Sequence, residues 1–85
     1  MGRHEEAIAA YKRGLTRNPD LLPAHTGLAV IYIELGREEE ARAAAAEVLK
    51  ISPNFSLEKW RQIAPYKDQA VLERMLAALR KAGLK

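Results

Sequence analysis

Residues 20–53 read DLLPAHTGLAVIYIELGREEEARAAAAEVLKISP, and this stretch indicates two helices joined by a tight turn. Apolar residues in its first half recur at steps of three and four, which draws one stripe along a helix: Ala24, Leu28, Ile31, Tyr32 and Leu35. Gly36 can take the left-handed conformation that ends such a helix. Residues 37–51 open with three glutamates, which suit the positive end of a helix dipole, and Lys50 suits the negative end. Because the turn is short, we expect the two helices to lie antiparallel.

Part of this stretch occurs twice in the chain. Shifting the sequence by 34 residues gives nine identities over residues 2–19. The identities include Gly2 with Gly36, Arg3 with Arg37, Glu5 with Glu39, Ala7 with Ala41, Leu15 with Leu49 and Pro19 with Pro53. A fixed period of this length predicts an internal repeat, with one complete unit at 20–53 and the second helix of a preceding unit at 2–19.

The period and its punctuation resemble the tetratricopeptide repeat family. Matching positions in the complete unit are Leu28, Ala29, Tyr32, Gly36, Ala41 and Pro53, and those in the partial unit are Ala7, Tyr11, Gly14 and Pro19. Two positions depart from the family pattern, since His25 stands where Trp is typical and Ala45 where an aromatic residue is typical. We expect these departures to loosen the packing without changing the fold.

Residues 54–85 are predicted to form a two-helix C-terminal cap. Ser56 can cap a helix whose apolar stripe comprises Leu57, Trp60, Ile63 and Ala64, and which Pro65 stops. Asp68 can cap a last helix with the apolar face Val71, Leu72, Met75, Leu76 and Leu79. Gly83 followed by Leu84 suits a Schellman ending in which Leu84 folds back on Leu79. The chain is therefore expected to be a single all-α domain over 1–85, with about five helices in antiparallel pairs stacked as an α-solenoid fragment.

The last thirty or so residues carry a second resemblance. They look like the closing segment of repeat regions in bacterial adenylate/guanylate cyclase-type signalling proteins. The segments that carry this likeness are Phe55-Ser56-Leu57, Trp60, Pro65-Tyr66-Lys67-Asp68 and Leu79-Arg80-Lys81-Ala82-Gly83-Leu84. It implies that the chain is the C-terminal fragment of a larger bacterial protein, in which it regulates or dimerises an attached enzyme such as a nucleotide cyclase.

The family resemblance implies a non-catalytic scaffold that binds a protein or peptide partner. The groove positions it carries over to this sequence are Pro23, Thr26, Val30 and Ile33. Three of them lie off the predicted stripe, so helical spacing leaves them free to face another surface. A groove this apolar lacks the Lys, Arg and Asn donors that carboxylate capture requires. Two interpretations stay open: a ligand groove, or burial of Val30 and Ile33 against another helix or a second copy of the chain.

Self-association through the first helix is a further hypothesis. Its apolar stripe comprises Ala7, Ile8, Tyr11 and Leu15, with Gly14 beside them. The first helix of the partial unit, which would cover this stripe, is not in the sequence. An uncovered apolar stripe tends to find another surface, so a homodimer is expected to form there.

Composition gives no sign of catalysis, a cofactor or a metal site. The sequence has no cysteine, and His4 and His25 fall on different helices without a carboxylate cluster joining them. No apolar run is long enough to span a membrane, and a cytoplasmic location is expected. Residues 55–85 hold seven Lys and Arg against three Asp and Glu. These cations are spread over different helix faces, which favours a solvated surface over nucleic-acid binding.

Overall fold

The computed structural model describes residues 2–63 and 67–85, and that part of the chain folds into five α-helices without a strand. The helices are α1 (Arg3–Arg17), α2 (Leu22–Glu34), α3 (Glu38–Ile51), α4 (Leu57–Ile63) and α5 (Gln69–Lys81). The predicted all-α fold class is therefore confirmed.

Two glycines end helices as the sequence predicts. Gly36 has φ +76°, and the Arg37 amide behind it donates to the Tyr32 carbonyl at 2.7 Å, which closes α2. Gly83 has φ +110°, and the Leu84 amide donates to the Leu79 carbonyl at 3.1 Å. This bond runs from the second residue past the cap to the last turn, as in a Schellman motif. Leu84 and Leu79 are 1% and 0% exposed, so the predicted apolar fold-back is confirmed.

Side-chain caps start the two C-terminal helices. The Asp68 carboxylate accepts a hydrogen bond from the Ala70 amide at 2.9 Å, which confirms the predicted cap of α5. The Ser56 hydroxyl accepts from the Lys59 amide at 3.2 Å, so Ser56 caps α4 as expected. The stop assigned to Pro65, together with Ala64 and Tyr66, lies outside the described residues.

The central contact of the fold is between α2 and α3. The buried side of α3 consists of small residues, which are Ala41, Ala44, Ala45 and Val48. Such residues let two helix backbones approach closely, and α2 in turn is buried along almost its whole length. Ala45, which departs from the family pattern, is only 3% exposed and thus lies in the core.

His25 ties the start of α2 to the preceding turn. It is 8% exposed, and its Nε2–H donates to the Pro19 carbonyl at 2.9 Å. The hydrogen bond satisfies a ring nitrogen that burial would otherwise leave without a partner. The residue that departs from the family pattern therefore adds a specific polar link at this position.

The C-terminal helices α4 and α5, called here the C-terminal helix pair, join the rest of the fold mainly through α5. Helix α4 packs on α5, and α5 packs on α2 about as extensively as α1 does. The Leu57 amide donates to the Lys85 carbonyl at 2.9 Å, and Arg61 forms an ion pair with Glu73. These bonds hold the pair together independently of α2 and α3.

Candidate functional site

Helix α2 lies at the centre of the molecule and is contacted by α1, α3 and α5. Its eight buried residues run without a break from Ala24 to Val30 and include Tyr32. A helix that is apolar all round needs a neighbour on every side. We therefore describe α2 by the three faces that its neighbours cover.

The first face of α2 meets α1 and depends on a glycine. A Cβ atom added at Gly27 would lie 2.4 Å from Cζ of Tyr11, so the ring occupies the space a side chain would need. At the far end of the contact, a Cβ atom on Gly14 would lie 3.3 Å from the Leu21 side chain. At the opposite end, the first turn of α1 contacts Glu34, the last residue of α2, so the two helices run antiparallel.

The second face of α2 meets α3 and carries Leu28 and Tyr32. The Arg37 guanidinium, just before α3, lies 5.2 Å from the centroid of the Tyr32 ring, which places Tyr32 on this side. Arg37 also donates to the Glu40 carboxylate at 2.6 and 3.0 Å. These hydrogen bonds raise the pKa of Arg37 above its ordinary value, so its positive charge is secured.

The third face of α2 carries the predicted groove residues. Successive residues of a helix are about 100° apart, so Thr26, Val30 and Ile33 lie about 60–120° from Gly27, on the side opposite to Leu28. Thr26 and Val30 are each 4% exposed, whereas Ile33 is half-buried and Pro23 is exposed. Of the three helices that contact α2, α5 is the one left for this face, and its Arg74 reaches Glu34 at the end of α2. The four groove residues thus share one face, and its middle is closed in this structure.

Glu34 connects three helices at the end of the third face. Its Oε2 accepts a hydrogen bond from Nε2 of His4 on α1 at 2.6 Å, and its Oε1 lies 3.3 Å from Nη2 of Arg74 on α5. The Glu34 side chain is 25% exposed, but those of His4 and Arg74 are 43% and 72% exposed, so water screens both pairs and each adds little stability. Sequence reasoning missed all three residues, because nothing in a single sequence pairs an arginine with a glutamate forty positions away.

A family model described as Tetratricopeptide repeat matches residues 1–63 of the chain. The chain belongs to the tetratricopeptide repeat family. Domains of this family typically bind protein partners and are generally non-catalytic. Comparison with curated proteins and with solved structures found no match.

The matched tetratricopeptide segment ends at Ile63, the last residue of α4. Helix α5 therefore lies outside the part of the chain that fits the family pattern. The likeness of the C-terminal residues to cyclase-type signalling proteins is not supported by any comparison and stays a prediction.

The predicted self-association stripe of this tetratricopeptide chain lies against its own core. Ile8 is 6% exposed, and Tyr11 and Leu15 are partly buried against the core cluster, while Ala7 is half-buried. Helix α2 covers the side of α1 that was expected to seek a second copy. The homodimer stays a prediction, and less apolar surface is free to drive it than the sequence suggested.

Residues 2–63 and 67–85 contain neither a cluster of metal ligands nor a helix that could span a membrane. No three His, Asp or Glu side chains there come together as metal ligands would. None of the helices in those ranges has the length and apolar content to cross a bilayer. A shallow open cleft between the turn after α1 and the end of α3 is lined by Pro19, Asp20, Glu47, Lys50 and Ile51.

Proposed function

We propose that the chain is a non-catalytic interaction module whose protein or peptide partner binds along the third face of α2. The observation that carries this proposal is that α2 is apolar on three sides, while the repeat pattern itself accounts for only two of its neighbours. The third side is covered by a helix outside the matched repeat. Pro23, Thr26, Val30 and Ile33 are the partner-binding residues.

The chemistry of this face defines the partner. Three of its residues offer only methyl or methylene groups, and the Thr26 hydroxyl is already bonded to the Leu22 and Pro23 carbonyls at 3.3 and 3.0 Å. The face therefore selects by apolar shape, because none of its four residues brings a cation that could pair with a carboxylate. Glu34 at its end adds one negative charge. An apolar segment with a cation at one end matches these features.

The alternative functions receive less support. Of the seven cations in residues 55–85, Arg61 is paired with Glu73 and Arg74 with Glu34, so two of them are already neutralised within the chain. This arrangement disfavours nucleic-acid binding, whose affinity depends on free cations. Regulation of an attached cyclase, the bacterial origin and the cytoplasmic setting remain proposals that depend on the sequence alone; a cysteine-free chain is compatible with a reducing cytoplasm.

A peptide-display selection tests the proposed function. Peptides would be selected from a random library against the full chain, and their affinities measured for Ile33→Lys and for the control Leu49→Lys. Both positions carry a partly exposed apolar residue, but Leu49 lies on the outer side of α3. We expect Ile33→Lys to weaken binding about tenfold or more and Leu49→Lys to leave it unchanged. Equal effects would contradict the site, and failure to select any peptide would contradict the function. Far-UV circular dichroism of both variants would verify that they fold.

A further inference from the structure

We propose that the C-terminal helix pair is an intramolecular cap over the partner-binding face of α2, and that the partner is an amphipathic helix that takes the place of α5. This inference rests on the proposed function, since it assigns the occupant of the same face. The cap and the partner compete for the same face, because a partner can bind only after the C-terminal helix pair has moved away from α2.

The cap is attached to the rest of the fold mainly through α5. The extensive helix contacts of the described residues are those of α2 with α3, α1 and α5, and that of α4 with α5. Contacts between α5 and α2 are thus the main link between the C-terminal helix pair and the rest. The pair can move away without breaking the α2–α3 contact, and its own hydrogen bond and ion pair, described above, move with it.

Ion pairs indicate which side of α5 faces α2. Arg74 reaches Glu34 on α2, and Glu73, about 100° away around the helix, reaches Arg61 on α4. At about 100° per residue, Ala78 and Ala82 lie on the Arg74 flank. They are 6% and 2% exposed, although alanines on the surface of a helix would be open to water. Ala78 and Ala82 are thus buried on the flank that Arg74 directs toward α2, beside the fully buried Leu79.

The sequence of the cap defines the partner. An arginine followed by small residues four and eight positions later lets a helix approach the α2 face closely and pair with Glu34. The chain carries this pattern at Arg74 and Ala78 of α5 and at Ala82, the C-cap of α5, all outside the matched repeat. A partner helix with the same spacing can make the same contacts. Its apparent affinity equals its intrinsic affinity multiplied by the fraction of chains in which the cap is open.

A peptide of residues 68–84 is the probe that tests this inference, because it carries the proposed pattern. Its affinity would be measured for the unmodified chain, for Arg74→Glu and for the control Arg13→Glu, which makes the same charge change at an exposed position of α1. Arg74→Glu turns an attraction to Glu34 into a repulsion within the chain, while the peptide keeps its own arginine. We expect the peptide to bind Arg74→Glu about fivefold more tightly than it binds the unmodified chain, and Arg13→Glu to show no gain.

Reversing the charges locates the bound peptide. A chain with Glu34→Arg should bind a peptide carrying Arg74→Glu more tightly than it binds the unmodified peptide. Hydrogen exchange should show faster exchange of the α5 amides in Arg74→Glu while the amides of α3 keep their protection. Equal peptide affinity for all chains, no preference after charge reversal, or a loss of protection throughout the chain would each overturn the cap. If selected library peptides still bound and remained sensitive to Ile33→Lys, the proposed function would stand without it.

Discussion

Gly27 decides how closely α1 approaches α2, because the Tyr11 ring fills the place of its missing side chain. We predict that Gly27→Ala lowers the free energy of unfolding by about 1 kcal/mol, since the cost of overpacking, about 1–3 kcal/mol, exceeds the gain in helix propensity. In a Tyr11→Leu background, the side chain at position 11 lacks the ring atoms that would clash with the added Cβ atom. There the same substitution should raise stability by about 1 kcal/mol. Urea unfolding of the four proteins measures both effects.

The sign change is what distinguishes a close contact from a weak helix position. If Gly27→Ala stabilised the chain in both backgrounds, the ring would have moved aside at little cost and the approach of α1 would not depend on Gly27. If it destabilised both equally, the cost would arise from a neighbour other than Tyr11. Only a difference between the two backgrounds supports coupling of these residues.

Helix α5 begins with the N-cap residue Asp68, which can be changed without altering how the helix packs. Asp68→Ala removes the acceptor for the Ala70 amide and should cost about 1 kcal/mol, whereas Asp68→Asn keeps an acceptor and should cost a few tenths. Hydrogen exchange at the first turn of α5 would measure the local change, and urea unfolding the global one. Similar losses in both variants would show that the charge of Asp68, rather than its capping bond, supports the helix.

Helix ends could be predicted from the sequence, whereas helix docking could not. Gly36, Asp68 and Gly83 act on residues within one turn of themselves, so their neighbours in sequence are enough to reveal them. Helix α5 docks on one apolar face of α2. Because α2 is apolar all round, its hydrophobic periodicity does not indicate which face meets which helix. The Glu34 to Arg74 pair joins residues forty positions apart. For that reason the helix that packs on this face could not be predicted, and the assignment of the groove residues stays a prediction.

Over the whole molecule, stability is concentrated in a few buried side chains. Leu79 is fully buried, while Leu49 is 41% exposed on α3. Leu79→Ala should cost about 3 kcal/mol, a large share of the stability of so small a domain, and Leu49→Ala less than about 0.5 kcal/mol. Urea denaturation followed by circular dichroism would measure both. A small effect of Leu79→Ala would mean that the surrounding helices collapse into the space it leaves.

Two spectroscopic probes can show whether the molecule unfolds as one unit. Trp60, the only tryptophan, lies in α4 and is 9% exposed, so its fluorescence reports the C-terminal helix pair, while far-UV circular dichroism reports mostly α1 to α3. Because the pair is attached mainly through α5, we expect the fluorescence midpoint in urea to precede the circular dichroism midpoint by about 0.5–1 M. Arg74→Glu should widen that gap by weakening only the docking contact. Coincident midpoints in both proteins would make the C-terminal helix pair part of a single cooperative core, and a partner could then displace it only by unfolding the domain.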